Sequence, residues 1–453
     1  MITTATEGSA GIAREEVTAD APFAASYVRY ALGLLLIINV LNFVDRQVVT
    51  ILSEQIKREL QLADWQLGMI TGLMFAVFYT LMGIPIARLA ERSNRALIIS
   101  ISTALWSAFT AICGAAQSFW QLAAARVGVG VGEAGCTPAA HSLISDYVPK
   151  EKRASALALY AMGTPLGALV GLMLGGLVAG AFGWRMTFLV CAAPGLLVAV
   201  ITAWTLREPR RQLIRQLAIG APMQASFRKS ILELRGKRAF WWVALAASAM
   251  AAVGYGGAAF LPSFFLRNHG VELAALGALY GTSAIGFFAI VYGAIVGLGG
   301  MAGTWAGGYL CDRYGARDAR AYVVVPVIGG LLAFPTYVFA MLTHSAVLAL
   351  VLMAVVNVTL SLWLAPVFAA VQGLVERHTR ATAAAVLLLV INLIGLGLGP
   401  LALGILSDIF AGPMKLGPAE GVRWAQIALM PLGLVAIALF LAARKRIREE
   451  MIH

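Results

Sequence analysis

The sequence predicts an all-α polytopic membrane protein, with twelve transmembrane helices in two pseudo-symmetric six-helix bundles. Three observations carry that prediction. The composition is 60% hydrophobic and only 12% charged, with a mean hydropathy of +0.83; a soluble domain built this way would lack the polar surface to meet water. Twelve apolar runs are each long enough to cross a hydrocarbon core of ~30 Å at ~1.5 Å per residue. Two loop motifs in the first half return at matching places in the second.

Residues 1–27 set Glu7, Glu15, Glu16 and Asp20 against Arg14. They lack the basic start of a signal peptide and read as a cytoplasmic tail. Six runs beginning near Tyr30, Trp65, Ala96, Phe119, Ala154 and Trp184 make an N-terminal bundle over 28–206. Residues 207–238 carry nine basic and two acidic side chains and divide the spans six and six. They read as a cytoplasmic linker resting on anionic lipid. Runs beginning near Ala239, Ala274, Ala321, Ser345, Ala381 and Trp424 make a C-terminal bundle over 239–443, followed by a cytoplasmic tail, 444–453. The run from about Leu273 to Leu310 exceeds one span, so it includes a preceding surface helix or a strongly tilted span.

With both termini in the cytoplasm, 26 of the 34 lysines and arginines lie inside, 6 outside and 2 in the membrane, the asymmetry that fixes orientation. The expected setting is a bacterial inner membrane. The same clustering between apolar runs accounts for the net charge of +12 without nucleic acid as a partner. Cys113, Cys136, Cys191 and Cys311 all sit inside apolar stretches at spacings that match no metal site, and they read as packing residues.

The internal repeat is specific. Leu89, Ala90, Glu91 and Arg92 recur as Leu310, Cys311, Asp312 and Arg313. The run Arg153 to Ala156 recurs as Arg380 to Ala383, the offsets being 221 and 227 residues. Such duplication characterises secondary transporters, which rock one bundle against the other around a central site.

The segment holding Gly308, Asp312, Arg313, Gly315 and Arg317, between spans 8 and 9, closely resembles the signature of the major facilitator superfamily. Ala87 to Arg95 is a weaker copy between spans 2 and 3, with Ala87 and Asn94 in place of glycines and Glu91 in place of aspartate. Asp146, Pro149 and Arg153 after span 4, and Glu208 with Pro209 after span 6, fit the same pattern. Within the superfamily, Asn42 to Arg46, Arg126 with Gly130 to Ala134, and Gly399 through Asp408 resemble the Spinster branch of lysolipid and sphingolipid carriers. The resemblance covers nearly the whole chain. It implies a major facilitator fold working by alternating access, with a latch for the outward-facing state among Glu91, Arg92, Arg95, Asp312, Arg313, Arg317, Arg153 and Arg380.

Ionisable groups inside spans cost ~2.5–3.5 kcal/mol each at a helix centre and are functional candidates for that reason. Asp45, Arg46, Arg126 and Glu133 are the four. Asp45 and Arg126 fall at one depth, roughly 10 Å below the outer surface, with opposite charge, so they are expected to face each other. Arg126 and Glu133 are seven apart and share a face of span 4. Glu133, near the midplane, and Asp45 are the proton-coupling candidates. Arg126 suits an anionic head group, with Asn42 placed in the same substrate-binding set. Arg46, about 100° round span 1 from Asp45, fits a cavity role and a helix contact equally well.

Spans 7 to 10 hold no interior charge but carry aromatics, of which Tyr255, Phe260 and Tyr280 are assigned to substrate. A cavity polar on one side and aromatic on the other suits an amphipathic molecule. Gly130 to Gly135 matches a dinucleotide pattern but lies in an apolar helix with no preceding strand. Gly163, Gly167, Gly171 and Gly175 form a helix-packing stripe. His141 reads as a packing residue before a proton relay. No Walker A sequence, HExxH pair or nucleophile with an evident base is present, so neither enzyme chemistry nor a cofactor is expected. The function read here is a monomeric, proton-linked carrier of a lysolipid- or sphingolipid-like molecule. The alternatives are a multidrug or organic-anion carrier and a transporter-like receptor that moves nothing.

Overall fold

The computed structural model describes residues 23–149, 152–209, 227–315, 317–376 and 379–452. Most of the N-terminal tail and linker residues 210–226 lie outside the described residues, as do the side chains of Glu91 and Arg92. Ten helices among the described residues are long and apolar enough to cross a bilayer. One of them, Ser155–Thr205, is two spans broken at Gly183, whose φ of 80° and ψ of 169° suit a residue without Cβ. The pair Phe119–Glu133 and Cys136–Tyr147 supplies the twelfth crossing; neither piece is long enough alone, and Glu133 stands at the break.

The spans are therefore Ala25–Leu60 (1), Asp64–Ala90 (2), Arg95–Ala115 (3), the broken pair (4), Ser155–Thr205 (5 and 6), Arg238–Asn268 (7), Ala284–Gly315 (8), Ala321–Leu342 (9), Ala346–Leu374 (10), Thr382–Ala411 (11) and Gly417–Glu450 (12). Several start on side-chain caps. Asn94, Ser118 and Ser345 accept the amides of Leu97, Gln121 and Leu348, satisfying donors that a helix start leaves open. The stretch before span 8 resolves into a separate helix, Gly270–Leu279.

Each bundle begins and ends on one face, here the linker face. Tyr27 donates to the Thr205 carbonyl at 3.0 Å, and the Ala239 amide donates to Glu450 at 3.0 Å. The glycine stripe of span 5 lies against span 1, with Gly163 on Asn39, Gly167 on Val40 and Gly171 on Val44. Between the halves, span 1 meets span 7, span 2 meets span 11, and span 5 meets span 8. Span 1 runs two turns past Leu52, where its apolar run ends. Those turns carry Glu54, Lys57 and Arg58, which the opposite, far face uses.

Candidate functional site

The central site is built on span 1. A helix turns about 100° per residue, so adjacent Asp45 and Arg46 point to different neighbours. Arg46 reaches span 4, where its Nε donates to Glu133 Oε2 at 2.7 Å. Its guanidinium also lies 4.9, 4.7 and 4.8 Å from the ring centroids of Phe43, Phe75 and Tyr79, a cation held among π faces. Phe75 and Tyr79 are four apart on span 2 and stack at 5.3 Å. The Glu133 side chain is fully buried, and its Oε1 has no hydrogen bond.

Asp45 turns the other way, into the N-terminal bundle, and its Oδ2 accepts from Thr110 of span 3 at 3.1 Å. Its Oδ1 is buried without a partner. Arg126 points to span 2, with its Nε 3.4 Å from the Ile70 carbonyl and its guanidinium 5.3 Å from the Phe75 ring. The expected Asp45–Arg126 contact is thus absent, and Arg46–Glu133 is the ion pair. Equal depth did not decide the pairing because helix phase did.

A cavity of about 350 Å³ lies between the halves. Arg46, Gln47, Arg126 and His141 line it from the first half, Tyr255 and Asn392 from the second. Glu133 and Asp45 do not line it; Glu133 stands behind Arg46, and Asp45 lies against Thr110. A second cavity of about 250 Å³ opens into the C-terminal bundle among Tyr292, Tyr337, Met353 and Trp363, sharing Gln47, Tyr255 and Ala258 with the first. Of the aromatics assigned to substrate, Tyr255 lines both of these cavities and the other two line neither. Phe260 is five residues on, some 140° round the helix, and is buried in the core. Tyr280 is 74% exposed at the break before span 8, because Gly281 at φ 66° ends the preceding helix. Asn42 is buried beside Glu133 and away from the cavity. His141 lines the cavity wall, its ring edge-on to Tyr160 at 5.3 Å.

The far face is closed by charge. Arg267, at the end of span 7, bonds Glu54 of span 1 and Asp64 of span 2, at 2.9 and 2.8 Å. Lys57 also pairs with Asp64, and Ser407 of span 11 donates to it at 2.6 Å. Asp408, next in span 11, accepts the backbone amides of Asp64 and Trp65 at 3.0 and 2.8 Å. A carboxylate from one half thereby caps a helix start in the other, where the helix dipole favours an anion. Sequence reasoning missed Glu54, Asp64 and Arg267; the available signal was charge at the ends of spans 1, 2 and 7.

On the linker face, Arg95 is fully buried and joins Glu208 and Asp146 within the first half. Asp312, Arg313, Arg317 and Arg380 are exposed, and Arg153 approaches the Val148 carbonyl at 3.4 Å. Among the described residues none of these makes an ion pair between the halves. Among the described residues, the ion pairs that join the halves lie at the far face.

The sequence model of the Major Facilitator Superfamily matches residues 35–400. The chain belongs to that superfamily. This transporter is 32% identical over 426 residues to an MFS-type efflux pump of Mycolicibacterium smegmatis, covering 93% of this chain and 94% of the relative. It is 26% identical to protein spinster homolog 3 of Danio rerio, covering 94% and 86%. A crystal structure of a bacterial homolog of the human lysosomal transporter Spinster, inward-facing and unoccupied, superposes with a TM-score of 0.85 at 32% identity, over 95% of this chain and all of the other. The protein is a transporter and not an enzyme.

Proposed function

We propose that this protein is a secondary active carrier working by alternating access, in which an anionic amphipathic molecule of lysolipid or sphingolipid type moves in company with protons. The observation that carries the reading is the Arg46–Glu133 pair. Its cation lines the cavity and its carboxylate stands behind it, sealed from the cavity. An anionic head group entering between Arg46 and Arg126 competes with Glu133 for the Arg46 guanidinium. A buried carboxylate that loses its cation is far costlier charged than neutral, so Glu133 then holds a proton. Departure of the head group restores the pair and releases that proton. The second cavity, lined by Tyr292, Met353 and Trp363, suits the apolar part of such a molecule.

The linker face is assigned to the cytoplasm of a bacterial inner membrane on the distribution of lysine and arginine. A second reading, a multidrug or organic-anion carrier, is favoured by the likeness to an efflux pump. Both readings are tested by flux into proteoliposomes for lysolipids, drugs and sugar acids, with and without a pH gradient. Lysolipid flux that rises with the gradient supports the first, and drug flux without lysolipid flux supports the second. Glu133→Gln keeps the size of the side chain but cannot release a proton, so it is expected to fold, at a lower melting temperature because Arg46 loses its partner, and to lose the pH dependence of flux. An unchanged pH profile in that variant would remove Glu133 from the coupling role.

A further inference from the structure

The ionic cluster is not the whole of the far-side closure. Directly beneath it, span 2 and span 11 meet backbone to backbone, each through a π-helical stretch, Met69–Leu73 in one and Ile391–Leu398 in the other. A Cβ built on Gly72 would lie 2.6 Å from the Leu396 carbonyl oxygen and 3.0 Å from that of Gly397. A Cβ on Gly68 would press on the Pro400 carbonyl more tightly still. No side chain fits between the two helices at these points.

The carbonyls are not ordinary helix carbonyls either. Pro400 has no N–H, so Leu396, four residues earlier, loses its α-helical donor. That oxygen faces the Gly72 Cα, where weak Cα–H···O contacts form between closely packed helices. Span 11 is seated within its own half by a separate contact, since a Cβ on Gly256 of span 7 would lie 2.8 Å from the Gly399 carbonyl. Gly68 and Gly72 therefore serve the junction between halves, whereas Gly256 serves packing within one half.

We propose that Gly68 and Gly72, seated on the Pro400 and Leu396 carbonyls, are a gate without side chains, and that the far face opens by parting this seam. This rests on the alternating-access reading. It has an unusual corollary: the three atoms nearest a methyl group at Gly68 or at Gly72 all belong to span 11, so the clash with them lasts only while the halves are together at the far face. Such variants have an unstrained conformer available, the far-side-open one, and fold into it.

The test places a cysteine at Thr50, which lines the central cavity, in a protein whose native cysteines are all buried. Labelling by a membrane-impermeant maleimide from the far side reports opening. Gly68→Ala and Gly72→Ala are expected to raise labelling about tenfold without a gradient, the ratio corresponding to ~1.4 kcal/mol, with a melting temperature lowered by no more than that shift accounts for. Gly83→Ala, on the same span with nothing within 4 Å of its Cβ position, is expected to match the parent. Gly256→Ala is expected to lower the melting temperature without raising the labelling of the folded fraction. Parent-like labelling of the folded fraction in Gly68→Ala and Gly72→Ala overturns the proposal, whatever their melting temperatures. If a gradient never alters labelling of the parent while the Gly68 and Gly72 variants still open it, alternating access fails and the seam stands.

Discussion

Arg46 and Asp45 show how much one residue of helix phase decides. Arg46 faces a carboxylate across the helix interface and Asp45 faces a hydroxyl. Removing one partner of a buried pair strands the other charge, typically at ~3–5 kcal/mol. Arg46→Gln is therefore expected to lower the melting temperature sharply, and Arg46→Gln combined with Glu133→Gln to recover more than the additive sum. Asp45→Asn and Arg126→Ala, which feel each other's charge without touching, are expected to couple more weakly than Arg46 and Glu133; coupling there as strong as in that pair would refute the geometry. All four charged residues were legible in the sequence, because each is conspicuous in an apolar run. Their pairing was not, since depth follows from counting residues but azimuth depends on how spans 1 to 4 are rotated against one another. Phe75 and Tyr79 were invisible for a related reason: aromatics four apart on an apolar helix look the same whether they face lipid or a guanidinium.

At the scale of elements, the joint between span 7 and the helix Gly270–Leu279 holds His269, which is 4% exposed and packed on Phe264 and Phe265. Burial holds its pKa below the ordinary 6.5; Glu272 opposes that shift, while Arg423 and His344 reinforce it. The neutral imidazole is thus the form that the folded joint favours. Its contribution to stability is complete above about pH 6.5 and is lost as the pH falls from there through the lowered value, because the unfolded chain takes up the proton first. His269→Gln is expected to flatten that part of the melting-temperature profile; an identical profile would show that His269 does not titrate there. The twelve apolar runs were readable because length and hydropathy suffice for existence. The breaks were harder. The π-helical stretches leave no mark on apolar periodicity, and the far-face extension of span 1 looks like loop, since its last turns are charged.

For the whole molecule, the two faces differ in what closes them. Arg267 is the only cation among the described residues that bonds both Glu54 and Asp64, so Arg267→Gln leaves the two buried carboxylates with one cation each, Arg58 on Glu54 and Lys57 on Asp64, and nothing charged joining span 7 to them. It is expected to weaken far-side closure, seen as greater far-side labelling of a cavity cysteine and slower net flux. Closure unaffected by this change would place the holding force elsewhere, in the seam of spans 2 and 11. The internal repeat announced the two-bundle plan, yet it concealed a functional asymmetry. The first half supplies the ion pair, and the second supplies the walls of the smaller cavity.

The Arg46–Glu133 pair also sets a timetable for biogenesis. The partners are 87 residues apart, so at ~5–20 residues per second the ribosome makes span 1 roughly 4–17 seconds before Glu133 exists. Span 1 holds Arg46 without its partner throughout that interval, and Asp45 without Thr110, 65 residues on, for the earlier part of it, at an insertion cost of ~2.5–3.5 kcal/mol for each charge near a helix centre. The nascent first span therefore bears that cost until spans 3 and 4 arrive to receive its two charges.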